Sequence, residues 1–434
     1  MGSTFVGRNG MYKGLMALSP LAVFLAVYLL SSILQEDFYK MPLSVAFIIA
    51  TIWGVLLTKG ITFKEKIKVL SQGAANNDVI YMVWVFVLAG AFAAIAKKIG
   101  ATEATVNFTL SVLPSGFLMP GFFLASCFIS MAIGTSVGTV VALTPVAVGI
   151  ASETGVDIPM FVAIIVGGAF FGDNLSFISD TTIASTRSQG CGMSDKFKMN
   201  IWLTIPAALL ILMVYVLIGR QVSAPVFSEV GDWLLILPYL FVILSAILGV
   251  NVLVVMILGI LSSVLFGYFH SGLSVIEMFG FMGEGVDSMG NLIVVTLLAS
   301  GMLGLIRYNG GIDFLLSRLT AGVKGKRGAQ AAISGLVAIV NVCTANNTIA
   351  IITVGQLAKD ISQKYGLDPR KTASLLDTCS CVMQSILPYG AQVLMAASLA
   401  NILPVSLIPY LYYPFALGFF VFLSIVFQFP RHHS

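Results

Sequence analysis

What most limits this chain is a series of apolar runs cut to the thickness of a lipid bilayer. A helix rises about 1.5 Å per residue, so about 20 apolar residues cross a hydrocarbon core. Gly14 to Leu34 forms the first such run. Others follow at 41–58, 78–99, 158–186, 196–219, 232–248, 250–269, 289–308, 371–400 and 405–429. Hydrophobic residues make up 58% of the 434 and charged ones only 10%, more apolar surface than a water-soluble domain can hide. The expected fold is an all-α polytopic protein of a bacterial-type inner membrane with about ten transmembrane helices. The first run lacks a small-residue cleavage site before the next span, so it reads as a retained helix and not a signal peptide.

Two further apolar stretches, 116–151 and 328–362, are interrupted near their middles by "GTSVGT" (Gly134 to Thr139) and "CTANNT" (Cys343 to Thr348). Each arm has about 15 to 18 residues, short for a crossing, so both stretches are expected to be re-entrant hairpins. Lys and Arg in the connecting loops set the orientation. Lys59, Lys64, Lys66, Lys68, Arg187, Lys196, Lys198, Arg307, Lys371 and Arg431 belong to one side, while only Lys40, Lys97, Lys98 and Arg220 fall on the other. The positive-inside rule then puts both termini in the cytoplasm.

The two halves resemble each other. "LAGAFAAIAKKIG" (Leu88 to Gly100) lies over "LASGMLGLIRYNG" (Leu298 to Gly310), and "ETGVDIP" (Glu153 to Pro159) over "QKYGLDP" (Gln363 to Pro369). That register sets "DNLSFISDTT" (Asp173 to Thr182) against "QSILPYGAQV" (Gln384 to Val393). An odd number of crossings per half makes the copies inverted repeats, expected over 1–220 and 228–430, each with one hairpin and one broken helix (158–186 and 371–400). Matched interruptions in inverted repeats point to a secondary transporter whose site lies where the breaks meet.

Intramembrane acids are costly and mark ion or proton pathways. Asp173, Ser176 and Asp180 are spaced to share a helix face, and a break between them would let their oxygens converge further. Together with Ser179 and Thr181 they offer the oxygen ligands that Na⁺, a hard cation, requires, with Asp173 and Asp180 as its carboxylates. A carboxylate there could instead hold a proton, since desolvation favours the neutral acid and a bound cation the anion. The bland alternative is a cap: Ser179 or Asp180 could simply start the second half-helix. In the second copy Asp377 is a further ion or proton candidate, and Gln384, Ser385 and Gly390 line the equivalent helix, broken by Pro388 and Gly390.

The hairpin tips offer Thr135, Ser136 and Thr139 in one copy and Thr344, Asn346, Asn347 and Thr348 in the other as solute ligands. "GTSVG" also fits the G-x-S-x-G elbow of hydrolases, but that needs a strand and a histidine partner. Apart from the terminal His432 and His433, which read as a tag remnant, the chain has only His270, so an enzyme is not expected. Its five cysteines form no C-x-x-C pair. Gly168 and Gly172 make a G-x-x-x-G element for close helix packing. Lys59 to Leu70 reads as an amphipathic helix at the headgroups, with Val275 to Gly290 as its acidic counterpart.

"GDNLSFISDTT" resembles the G-D-x-x-S-P-x-S-D-T-T signature of NhaC-type sodium/proton antiporters, within the larger ion transporter superfamily. Asp173, Ser176, Ser179, Asp180, Thr181 and Thr182 match it position by position, while Phe177 stands where the signature has proline. The resemblance implies two re-entrant hairpins, a homodimer and elevator-like movement of the solute, with Na⁺ or H⁺ as coupling ion and no other cofactor. The leading expectation is Na⁺/H⁺ antiport. The alternative is Na⁺- or H⁺-coupled transport of a small amino acid or carboxylate, because family members differ in solute. A channel is a third class, and matched breaks suit an alternating site better than an open pore. No nucleic-acid partner is expected.

Overall fold

The computed structural model describes residues 8–34, 41–177, 179–222, 233–248, 250–320 and 323–430. Lys40, Arg431, His432, His433 and the first residues (228–232) of the second expected repeat lie outside the described residues. The first half runs α1 (Arg8–Leu34), α2 (Leu43–Leu57), α3 (Phe63–Ala74), α4 (Asn77–Lys98), α5 (Ala101–Val112), α6 (Leu118–Ile133), α7 (Ser136–Thr154), α8 (Ile158–Leu175), α9 (Asp180–Gln189) and α10 (Met193–Gly219). The second half opens with α11 (Leu237–Ile247), α12 (Val252–His270), α13 (Val275–Ser288), α14 (Gly290–Tyr308), α15 (Gly311–Thr320) and α16 (Gly325–Thr344). It closes with α17 (Asn347–Tyr365), α18 (Pro369–Ile386), α19 (Ala391–Ala400), α20 (Pro404–Leu407) and α21 (Tyr412–Phe427).

Among the described residues, 8 helical runs are long and apolar enough to cross a membrane, or 9 when Pro404–Tyr410 and Tyr412–Phe427, bent by 55°, count as one. Seven of the ten expected spans are in that set. The other three, at Lys13–Tyr28, Leu43–Leu57 and Trp233–Ser245, are shorter apolar helices. Both arms of the first interrupted stretch pass the same test, so their length alone does not make that stretch re-entrant. The sequence reading missed α5 and α15, whose mixed polar and apolar residues do not reach spanning hydropathy.

Helix ends recur at one constant interval between the halves. The pairs α7 and α17, α8 and α18, and α9 and α19 start and stop in the same register. The residues between them follow suit: Gly134 and Ala345 both adopt left-handed backbone (φ 73° and 49°), and Thr135 and Asn346 after them are both extended. A single interval explains why the two halves look alike despite little identity of side chains.

The helices form two groups. In one, α6 packs on α8 and α10, α16 on α17 and α18, α17 on α9, and α19 on α7. In the other, α1 packs on α2, α4 on α12 and α13, and α14 on α2 and α3. α5 reaches from α4 to α7 and α15 from α14 to α16, so each bridges the two groups. Burial separates the central and lipid-facing helices: the helical run Ile158–Gln189 is almost wholly buried, whereas most residues of Met193–Gly219 are exposed or half-buried. α8 is therefore a central helix, and the G-x-x-x-G element explains how its neighbour comes so close. Ser126 and Ser130 of α6 donate to the Ile165 and Ala169 carbonyls at 2.7 and 2.5 Å across the face that Gly168 and Gly172 leave bare.

Candidate functional site

The first break needs no proline. α8 stops at Leu175 because Ser176 turns to extended backbone, and Ser179 restarts the helix by accepting the Thr182 amide (3.3 Å). The carbonyls freed by the break are taken by hydroxyls from its far side. Ser179 donates to the Asp173 carbonyl (3.0 Å) and Thr182 to that of Ser176 (2.7 Å). Ser179 is thus the helix cap that the sequence allowed. The break also separates Asp173, which is buried, from Asp180, which is exposed, so the two do not share a continuous helical face.

At the second break, α18 ends at Ile386 and α19 begins after Gly390. The Gln384 amide donates to the Ala345 carbonyl (3.0 Å) and to Gln392 Oε1 (3.1 Å), tying this break to the turn between α16 and α17. Tyr389 donates to the Val342 carbonyl (2.8 Å) and meets Phe24 and Phe47 edge-on. That contact fastens the break to α1 and α2.

Both tips and the first break surround a cavity of about 280 Å³. Thr135, Ser136, Asp173, Ser179, Asp180, Thr181, Asn346, Asn347 and Thr348 line it, with Gln392 from α19. Tyr81, Met82 and Val85 of α4 and Val252 of α12 form the opposite wall, so the cavity lies between the two helix groups. Gln392 Nε2 donates to Ser136 Oγ (2.9 Å), which donates to Asp173 Oδ2 (2.5 Å). The chain of donors ends on the carboxylate, and Asp173 Oδ1 is buried with no hydrogen-bond partner. A buried carboxylate with one oxygen held and the other unspent is a seat for a proton or a hard cation.

The other expected residues lie outside this cavity. Thr139 is buried and bonds back to the Thr135 carbonyl, Ser385 to that of Val382, and Ser176 contributes its backbone to the break. Gln384 and Gly390 shape the second break. Thr344 lines a separate cavity of about 90 Å³, together with Asn346, Ser300, Asn76 and Arg307. Asn346 lines both.

Asp377 is wholly buried, and Lys196 and Asn200 of α10 are its partners. Lys196 Nζ lies 2.9 Å from Asp377 Oδ2, and Asn200 Nδ2 donates to the same oxygen at 2.7 Å. Lys196 also donates to the Asn174 carbonyl (2.8 Å) and Thr182 Oγ1 (2.6 Å). Lys196 and Lys371, expected among the cytoplasmic loop charges, are both buried. Lys371 bonds to Ser424 Oγ and to the Phe429 carbonyl. The signal for Lys196 was its periodicity: Lys196, Asn200, Leu203, Ala207 and Ile211 share one buried stripe of α10.

The Na⁺/H⁺ antiporter family matches residues 11–220 and 230–429. The chain is 26% identical to the Na⁺/H⁺ antiporter NhaC of Bacillus subtilis over 95% of its own length and 98% of that protein. It is 24% identical to the NhaC antiporter of Alkalihalophilus pseudofirmus, covering 93% of this chain and 92% of the relative. A malate-2H⁺/Na⁺-lactate antiporter of Bacillus subtilis is 22% identical over 91% and 90%. This chain is a multi-pass membrane transporter that carries out ion-coupled antiport, not an enzyme, and it belongs to the Na⁺/H⁺ antiporter family.

Proposed function

We propose that the chain exchanges Na⁺ for H⁺ and that Asp173 carries them alternately. The observation that supports this most is the environment of that carboxylate. It faces a polar cavity between the helix groups, takes one hydroxyl donor, and has no partner on its second oxygen. An uncompensated buried anion is costly, so Asp173 needs either a proton or a metal cation on it. Ser179, Asp180, Thr181 and the tip residues supply further oxygens within the same cavity. Competition of two cations for one seat is enough to couple their opposite movements.

The recurring helix ends support an inverted repeat over 1–220 and 228–430, with two hairpins whose tips meet the breaks. Elevator movement of the group that holds the breaks against the group that holds α4 and α12 is the matching alternating-access scheme. The Lys and Arg bias supports cytoplasmic termini, and in that orientation the N-terminal ends of α4 and α12 beside the cavity face the cytoplasm. Assembly as a homodimer belongs to the same reading.

A second reading, coupled movement of a small organic carboxylate, is favoured by the cavity of about 90 Å³, where Arg307 stands beside Thr344 and Asn346. Proteoliposomes separate the two. Under an imposed Na⁺ gradient, Na⁺/H⁺ exchange moves protons with no organic solute present, whereas a dependence on added lactate or malate would replace the first reading by the second. Asp173→Asn should abolish Na⁺-driven proton movement in a folded protein. Full exchange by that variant would remove Asp173 from the site.

A further inference from the structure

We propose that Lys196 is a tethered cation that occupies a second carboxylate seat, at Asp377, and thereby limits how many Na⁺ each chain binds. The inference rests on the cation-exchange reading and concerns its stoichiometry. The Lys196 ammonium is wholly buried and held by the Asp377 carboxylate, the Asn174 carbonyl and the Thr182 hydroxyl at 2.9, 2.8 and 2.6 Å. A carboxylate, a carbonyl and a hydroxyl are also the donor classes that a hard monovalent cation takes. Asn200, one turn along α10, donates at 2.7 Å to both the Asp377 carboxylate and the Asn174 carbonyl and keeps that oxygen set in place.

Asp173 and Asp377 therefore differ in charge balance. Asp377 is neutralised by a residue of the chain, whereas Asp173 is hydrogen-bonded by Ser136 and has, among the described residues, no basic side chain paired with it. Asp377 Oδ1 still has no hydrogen-bond partner, so the seat retains acceptor capacity beyond the ammonium. Lys196 also grips the end of α8 through Asn174 and the first turn of α9 through Thr182, the two half-helices that flank Asp173. A positive charge at the C-terminal end of α8 suits its dipole. Lys196 is in this sense a positioning residue: it acts through Asp377 and the break, and it does not touch the transported ion.

Removing the ammonium leaves a buried carboxylate with no countercharge, which free Na⁺ can neutralise. The test is equilibrium binding of radioactive Na⁺ to the purified full-length protein in lipid nanodiscs, counted per chain. Reversal potentials of exchange in proteoliposomes give an independent count. Lys196→Met should bind about one more Na⁺ per chain than wild type and shift the reversal potential accordingly. Lys196→Arg should keep the wild-type count. The double variant Lys196→Met with Asp377→Asn, which removes both charges and so avoids an unpaired one, should return to the wild-type count. A folded Lys196→Met with an unchanged count overturns the inference. Where that single variant does not fold, the double variant decides: the wild-type count supports the inference, and loss of all Na⁺ binding overturns it, because Asp377 would then be part of the exchanging site. Wild-type protein that binds no Na⁺ would instead remove the exchange reading itself, and this inference with it.

Discussion

Ser136 and Asp173 lie on different helices, yet a hydroxyl–carboxylate hydrogen bond of 2.5 Å joins them at the centre of the protein. A hydrogen bond to a charged group contributes about 1.5–3 kcal/mol, and this one favours the anionic form that binds a cation. Ser136→Ala should therefore weaken apparent Na⁺ affinity at least about tenfold, as read from the Na⁺ dependence of exchange, with little change in protein yield. At this scale the sequence was a good guide to residue type and a poor one to partner. Asp173, Ser136 and the tip amides were all legible as polar groups in apolar runs. That Asp377 would face a lysine could not be read from its own stretch, because Lys196 arrives from a helix far along the chain.

The packing of α6 on the central helix α8 depends on small residues. A Cβ on Gly168 would lie 2.7 Å from the Phe123 carbonyl, and one on Gly172 2.6 Å from the Met131 amide nitrogen. Backbone atoms cannot move aside as a side chain can, so Gly168→Leu should cost at least about 1–3 kcal/mol, seen as a lower unfolding temperature in detergent. The amphipathic α3 gives a different test. Thr62 and Glu65 form a reciprocal cap at its start, and the Thr62 amide, followed by the Thr62 hydroxyl, holds the exposed Glu65 carboxyl below its usual range. A depressed carboxyl stabilises the fold above its unfolded-state pKa and loses that contribution as pH falls through the folded one. Hydrogen-exchange protection of the α3 amides should accordingly drop on acidification through the carboxylate range, and Glu65→Gln should flatten that dependence.

For the whole molecule, the cavity lies between a group of helices holding both breaks and a group holding α4 and α12, and exchange by elevator movement needs one group to slide against the other. Met82 of α4 and Ile349 of α17 both line the smaller cavity and belong to different groups. Cysteines at these two positions, in a background without the native five, should allow a short reducible cross-linker to stop exchange, and reduction should restore it. Undiminished exchange by the cross-linked protein would rule out sliding at this boundary. Most of the architecture was already determined by the sequence alone, because bilayer thickness sets the length of an apolar run and water sets where charges may lie. Seven of the ten expected spans, the two interruptions at 134–135 and 345–346 and the positions of both breaks follow from those constraints. Tertiary structure alone decided which polar residues meet. It gathered Asp173, Ser136 and Gln392 into one chain of donors, left Thr139 and Ser385 bonded to their own helices, and took Lys196 from an expected loop into a buried ion pair. The physical reason is that a buried charge must find its countercharge in space, and local sequence carries no record of which distant helix supplies it.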